Sequence, residues 1–310
     1  MKKITALLFS LVISFTAFAQ GKVEKIDNFK SKYVKKRNVE VYLPAAYFAN
    51  PKQKFPVLYM NDGQNVFNPE TSMNHIAWEA DATADKLIGQ KAVKPMIIVA
   101  IWNGEDTRVN EYFPEKAAAN FSPADKDALS KAMKQFGVKD EKLLGDEYLE
   151  FLVKELKPYI DSKYRTLADA PNTAICGSSM GGLISIYAIC EYPAVFGEAA
   201  CLSTHWPILM NNDNMGPSMA IKQYVWEHMP DPKTHRLYFD YGTVTLDQYY
   251  EVHQRMIDDM LRSKGYLENR NWLTVKAENA PHTEKAWQER FDKVLAFLFM
   301  QDKPGTIKRG

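Results

Sequence analysis

The chain has 310 residues, of which 46% are hydrophobic, with 39 lysines and arginines against 38 aspartates and glutamates. That length suits one large α/β domain or two small ones, and core volume is not limiting. The near-zero balance leaves no electrostatic footprint for nucleic acid and no argument for binding an anionic membrane.

The N-terminus reads as a targeting segment. Met1-Lys2-Lys3 is positive, Ile4 to Phe18 is almost wholly apolar but short for a membrane span, and Ala17-Phe18-Ala19 fits small-x-small cleavage. This predicts a signal peptide over 1–19, a mature chain from Gln20, and a periplasmic or secreted location. No cysteine follows Ala19, which argues against a lipid anchor, and no later segment reads as a span. Loss of Lys2 and Lys3 takes the formal charge from +1 to −1. The three cysteines, Cys176, Cys190 and Cys201, lie in apolar surroundings and read as small core residues, an odd count leaving at least one thiol unpaired.

From Gln20 onward the pattern alternates. Lys22 to Tyr33 and Asn38 to Leu43 suit two antiparallel edge strands. Short apolar runs follow at Pro56–Met60, Pro95–Ile101, Thr173–Cys176, Glu198–Leu202, His235–Phe239 and Trp272–Ala277. Uninterrupted apolar runs imply strands buried on both faces, as in a parallel sheet. Helical stripes lie between or after them: Tyr148, Leu149, Leu152, Leu156, Tyr159 and Ile160, with Asp146 as cap; Tyr249, Val252, Met256, Met260 and Leu261, stopped by Gly265; and Trp287, Phe291, Val294, Leu295 and Leu298. The fold class predicted is α/β, a mostly parallel sheet with helices on both faces, in a single domain over 20–310. Stretches at about 114–144 (polar, helix-prone) and 206–234 (loop-rich) interrupt the rhythm, either as active-site rim or as neutral decoration.

Gly177-Ser178-Ser179-Met180-Gly181-Gly182 joins the strand-like Thr173–Cys176 to the helix-like run from Leu183. Strand, Gly-x-Ser-x-Gly, helix is the pattern of a nucleophile elbow, whose sharp turn needs small residues two before and two after the serine. Only Gly177 and Gly181 fit that frame, which selects Ser179. The competing account is a Gly-rich turn that merely packs a strand on a helix. A nucleophilic serine needs a base and the base needs an acid, in the chain order Ser, acid, His. His282, in the loop after the last strand, is the best-placed base. His228, His235 and His253 read as structural or surface residues, and His205 as a pocket residue. Asp240, Asp247 and Glu251 are the candidate acids. Asp247 is preferred, although it could be a simple helix cap. The Met180 N–H and the Gln64 N–H, with Gly63 as alternative, are the candidate oxyanion donors. No Cys/His/acid cluster has zinc-like spacing, so neither metal nor organic cofactor is expected.

These residues resemble the putative-esterase family of α/β hydrolases, which includes feruloyl esterases, esterase D and enterochelin esterases. The likeness runs from about Val39 to Met300. It is carried by Val41-Tyr42-Leu43-Pro44, by Tyr59 to Phe67 with Asp62-Gly63-Gln64-Asn65, by Arg108 with Glu111-Tyr112, by Gly177 to Gly182, by Glu155 to Ile160, and by His282-Thr283-Glu284-Lys285-Ala286-Trp287. One departure is Asn61, where many relatives carry histidine. The resemblance implies an α/β-hydrolase fold and cleavage of a carboxylic ester through an acyl-enzyme. Ser179, His282 and Asp247 fall at the catalytic positions, and Met180 and Gln64 at the oxyanion positions. The small-molecule or glycan-linked ester implied is an acylated carbohydrate, a feruloyl-type ester or a siderophore ester. Trp78, Trp102, Tyr112 and Trp206, with His205 and Arg108, are candidate pocket residues, though the aromatics fit core packing equally well. Arg108 and Glu111 fit an ordinary surface ion pair as well as a substrate-side loop. The alternatives on this fold are a non-catalytic glycan- or siderophore-binding protein, an acyltransferase or a peptidase.

Overall fold

A computed structural model describes residues 20–135, 137–209 and 212–301. The predicted signal peptide lies outside the described residues.

Eight strands make one sheet: β1 (Lys22–Phe29), β2 (Arg37–Leu43), β3 (Val57–Met60), β4 (Ile97–Ile101), β5 (Thr173–Ser178), β6 (Glu198–Leu202), β7 (Arg236–Tyr241) and β8 (Trp272–Lys276). Their spatial order is β1-β2-β4-β3-β5-β6-β7-β8. The β1–β2 and β2–β4 pairs are antiparallel, and every pair from β4 to β8 is parallel. Chain order reverses its direction of growth between β3 and β5. That is the switch point outside which open α/β sheets bind ligands.

The apolar runs are explained by two cores. Val57 and Tyr59 of β3 face one, with Val99, Ile175, Tyr148, Leu152 and Leu183; Leu58 and Met60 face the other, with Ile98, Cys176, Trp78, Trp287 and Phe291. Both sheet faces are thus covered, so alternate residues of the central strands are equally apolar. The Met180–Glu191 helix is buried nearly all round, and all three cysteines are free and buried.

Several boundaries differ from the sequence reading. β1 ends at Phe29 rather than Tyr33, where the pairing register breaks and Asn28 takes φ 53°. β7 runs on to Tyr241, so Asp240 lies inside the strand. The stripe from Tyr148 to Ile160 forms a helix over Gly145–Phe151, Leu152–Leu156 and Lys157–Lys163, whose middle segment is a wide π-type turn. Pro158 accounts for it: it has no N–H, and its ring would strike the Lys154 carbonyl of a regular helix. Asp146 is not the cap; it sits in the first turn and accepts the Tyr187 hydroxyl. The last stripe splits into Glu284–Gln288 and Phe291–Phe299, because Arg290 turns inward between them. The stretch read as loop-rich at 206–234 carries a 13-residue helix, Gly216–His228. The earlier stretch carries the helix Pro123–Gln135. No helix among the described residues is long and apolar enough to cross a membrane.

Candidate active site

Ser179 occupies a backbone conformation that side chains other than glycine rarely adopt, φ 58° and ψ −122°. Such a residue costs about 1–3 kcal/mol and persists only when its surroundings hold it. Its N–H donates to Leu202 O at 2.9 Å, and its carbonyl accepts from Leu183 N–H at 3.1 Å and His205 N–H at 3.2 Å. A Cβ built on Gly177 would lie 2.7 Å from the Gly181 backbone, which is why the turn needs its glycines.

The three residues that chain order singled out come together. His282 Nε2 lies 3.0 Å from Ser179 Oγ, and His282 Nδ1 lies 2.5 Å from Asp247 Oδ1. A carboxylate only accepts, so Nδ1 carries the proton and Nε2 is free to accept from the serine hydroxyl. The imidazole stands edge-on between Trp287 and Tyr250, with ring centroids at 4.9 Å and 5.7 Å. Thr245 Oγ1 accepts the His282 N–H at 2.9 Å and fixes the loop. Burial works to raise the Asp247 pKa, but hydrogen bonds from His282, Ser203 and the Gly242 N–H outweigh it and hold the carboxyl below its usual range. The other candidate acids are engaged elsewhere. Glu251 pairs with Lys276 at 3.1 Å on the surface, and Asp240 pairs with Arg290 at 2.9 Å in the interior.

The turn after β3 lies against this elbow. Asn61 N–H donates to Cys176 O at 2.9 Å, and a Cβ on Gly181 would meet Asp62 Oδ2 at 3.3 Å. Met180 and Gln64 sit in the first turns of their helices, Met180–Glu191 and the 3₁₀ turn Gly63–Asn65, where N–H groups have no intrahelical acceptor. The Gln64 side chain does not compete for the site, since its Oε1 accepts the Asn103 N–H at 3.2 Å. Asn61 is turned away into the core. It donates to Gly181 O and Ser185 Oγ at 3.2 and 3.0 Å and accepts the Tyr148 hydroxyl at 2.6 Å. The departure from histidine at this position therefore concerns how the elbow helix is held.

A cavity of about 260 Å³ opens beside Ser179 and His282. Its apolar wall includes Phe113, Leu129, Met133, Ile208 and Leu246, and Arg108 and His205 supply polar groups. Two predicted pocket residues are therefore on it. Burial, then the nearby His282, push His205 down to about 4, so it is neutral at pH 7, and its Nδ1 lies 2.8 Å from the Tyr250 hydroxyl. Arg108 grips Asp62 through two bonds of 2.6 and 2.7 Å. Its partner is thus Asp62 and not Glu111, which forms a buried pair with Arg37 at 2.8 Å.

The aromatic candidates do not line this cavity. Trp102 donates to Glu40 on β2 at 3.0 Å, Trp206 packs inside with its N–H on Gln254 at 3.0 Å, and the buried Tyr112 accepts the Asp62 N–H at 3.0 Å. Trp78 stacks in the second core against Trp287 and Phe291. Of the other histidines, His253 and His235 are buried in structural contacts and His228 stacks on Tyr224. Sequence reasoning missed Ser203, Tyr250 and Arg290, which surround the His282–Asp247 pair. Ser203 sits beside His205 at the end of β6, and that adjacency was its only available signal.

A mostly parallel eight-stranded sheet, with a strained serine after β5 facing a histidine and a buried aspartate, defines a protein of the α/β-hydrolase fold. The chain belongs to the Putative esterase family, whose profile matches residues 31–298. It is 23% identical over 274 residues to the uncharacterized protein YbbA of Bacillus subtilis (strain 168), covering 86% of this chain and 94% of that one. It is 25% identical over 282 residues to an endo-1,4-beta-xylanase/feruloyl esterase of Xylanibacter ruminicola, covering 90% of this chain but 31% of that larger protein. Among solved structures, a ferulic acid esterase superposes with a TM-score of 0.63 at 20% identity, over 91% of this chain and 99% of that one.

Proposed function

We propose that this protein is a serine carboxylesterase that works through an acyl-enzyme. The observation that carries the reading is the unbroken line from Asp247 through His282 to Ser179, ending at an apolar cavity. Ser179 Oγ attacks the ester carbonyl while His282 Nε2 takes its proton. Asp247 holds the imidazole in the required tautomer and stabilises the imidazolium without itself being protonated. The Met180 and Gln64 N–H groups donate to the oxyanion. His282 then protonates the leaving alcohol and, in the second half, activates water to release the acid.

The apolar wall suits the acyl side of the ester, and a cavity of about 260 Å³ has room for a short acyl chain or one aromatic ring. An aromatic acyl ester of the feruloyl type is the substrate class we favour, on the strength of the cavity and the similarity to feruloyl esterases. We further read residues 20–310 as one catalytic domain with rim insertions, exported by the signal peptide over 1–19.

The deciding experiment compares wild type with Ser179→Ala on p-nitrophenyl acetate and methyl ferulate. A fluorophosphonate probe is tested in parallel. The variant should fold, lose turnover by about 10³-fold or more, and resist the probe that labels wild type. Activity retained in Ser179→Ala would refute the assignment. An unlabelled, inactive but folded wild type would favour a binding protein on this fold.

A further inference from the structure

Ser203 has a hydrogen-bond arrangement that leaves its proton no choice. Trp287 Nε1 approaches its Oγ at 3.0 Å and Arg290 Nη2 at 2.9 Å. An indole N–H and a guanidinium only donate, so both lone pairs of the hydroxyl are taken. The remaining neighbour is Asp247 Oδ2 at 2.5 Å, which only accepts. The Ser203 O–H therefore points at Asp247, on the oxygen opposite the one that His282 uses. The same Arg290 nitrogen contacts Asp240 Oδ1 at 2.9 Å, and the Ser203 N–H donates to Asp240 O at 2.8 Å. Ser203, Asp240, Asp247 and Arg290 are all buried.

We propose that Ser203, polarised by Arg290, is a positioning residue that clamps Asp247 and, through it, sets the orientation and basicity of His282. The inference rests on the serine-esterase reading above. Hydrogen bonds in a chain strengthen one another where water is excluded. A cation that donates to the Ser203 oxygen makes its O–H a stronger donor to the carboxylate. The clamp has two consequences. With Gly242 N–H also on Oδ2 at 2.6 Å, the carboxylate cannot rotate away from the imidazole. It also draws charge from Asp247, which moderates how tightly the imidazolium is held. The ionisable groups facing Asp247 are His282, Tyr250 and His205 on the pocket side, with Arg290 and Asp240 behind Ser203.

The test uses the full chain with p-nitrophenyl acetate, comparing Ser203→Ala, Arg290→Met with Asp240→Asn, and all three together. Alanine keeps the Cβ, so the backbone cost at φ 39° is unchanged. Removing both Arg290 and Asp240 charges avoids stranding one of them. Ser203→Ala should lower kcat on the order of tenfold, a fraction of the ~10²–10⁴ that a positioned general base contributes, with KM within about twofold. Its acid limb in the kcat/KM profile should move to higher pH by about half a unit, because the freed carboxylate holds the imidazolium more tightly. The paired charge variant should move the limb the same way by less and add nothing in the Ser203→Ala background. A folded Ser203→Ala with wild-type kcat and an unmoved limb overturns the proposal, as do effects that simply add. If Ser203→Ala does not fold, the charge variant decides: an upward shift supports the clamp and an unmoved limb overturns it. An inactive Ser179→Ala beside a wild-type-like Ser203→Ala sinks this inference alone, whereas an active Ser179→Ala sinks the esterase reading itself.

Discussion

Three carboxylates follow one another from the end of β7 onward, and their surroundings give them three different tasks. Asp240 ends inside the strand and neutralises Arg290; Asp247 is buried and faces His282; Glu251 is on the surface beside Lys276. Asp247→Asn keeps the shape but lets the wrong imidazole tautomer form, and kcat should fall by about 10⁴. Glu251→Gln loses only a solvated ion pair and should stay within about twofold. Asp240→Asn leaves Arg290 buried without its anion, so its main effect should be a stability loss of about 3–5 kcal/mol in thermal or urea unfolding. Steady-state kinetics and unfolding of the three variants side by side check the assignment, and an Asp247→Asn enzyme as active as Glu251→Gln would defeat it. Chain order made the acid legible only to within these three residues. What selects Asp247 is the 3₁₀ turn Thr245–Tyr249, which points its side chain inward before the Tyr250–Ser263 helix begins. Periodicity does not see a bend of that kind. The tryptophans failed for a related reason: whether an aromatic at a strand end faces the ligand or the sheet depends on the loop that follows it.

At the scale of elements, the Gly216–His228 and Tyr250–Ser263 helices meet around a buried amine. Lys222 Nζ donates to Ser218 Oγ and to His253 Nδ1, the latter at 2.7 Å, while His253 Nε2 donates to Asn212 Oδ1 at 2.8 Å. Burial lowers the Lys222 pKa to about 7 from an ordinary 10.5, and burial followed by Lys222 lowers His253 to about 3. Between about 7 and 10.5 the unfolded chain binds a proton that the folded chain does not, so stability rises with pH across that window. Below about 7 the penalty is fully present, on the order of a few kcal/mol. Lys222→Met removes it and leaves the Ser218 hydroxyl to donate to His253. The variant should melt higher than wild type near pH 7, and the gap should close as pH approaches 10. Parallel melting curves across that range would show that the amine carries no such penalty. The sequence around the Gly216–His228 helix reads as loop-rich because the run Asn211 to Asn214, several prolines and Lys222 mask its apolar stripe. The Met180–Glu191 helix was legible because its surface is apolar but for Ser185 and Glu191.

For the molecule as a whole, the sheet and the site were readable for one reason: in a parallel α/β fold the loops at the carboxyl ends of neighbouring strands converge. Ser179 follows β5 and His282 follows β8, and their side chains meet at 3.0 Å. What the cavity accepts was not readable, because part of its wall comes from the Pro123–Gln135 helix, whose packing no local pattern encodes. Leu129, Ala132 and Met133 of that helix line the cavity together with Ser179. Met133→Ala should deepen the pocket without touching the catalytic groups. Each methylene newly buried is worth about 0.8 kcal/mol, or roughly fourfold in kcat/KM. In a p-nitrophenyl ester series from acetate to decanoate, the wild-type optimum should therefore lie at short chains. The Met133→Ala optimum should move up by about one to three carbons, with kcat on acetate nearly unchanged. Met133→Phe should move it the other way, by filling space that the acyl chain would occupy. The opposite signs matter, because general loosening of the fold would weaken both variants on every ester alike. If both merely lose activity in parallel across the series, this helix is not the acyl wall, and the chain-length limit is set by the rest of the lining, such as Phe113, Ile208 or Leu246 in the turn after β7.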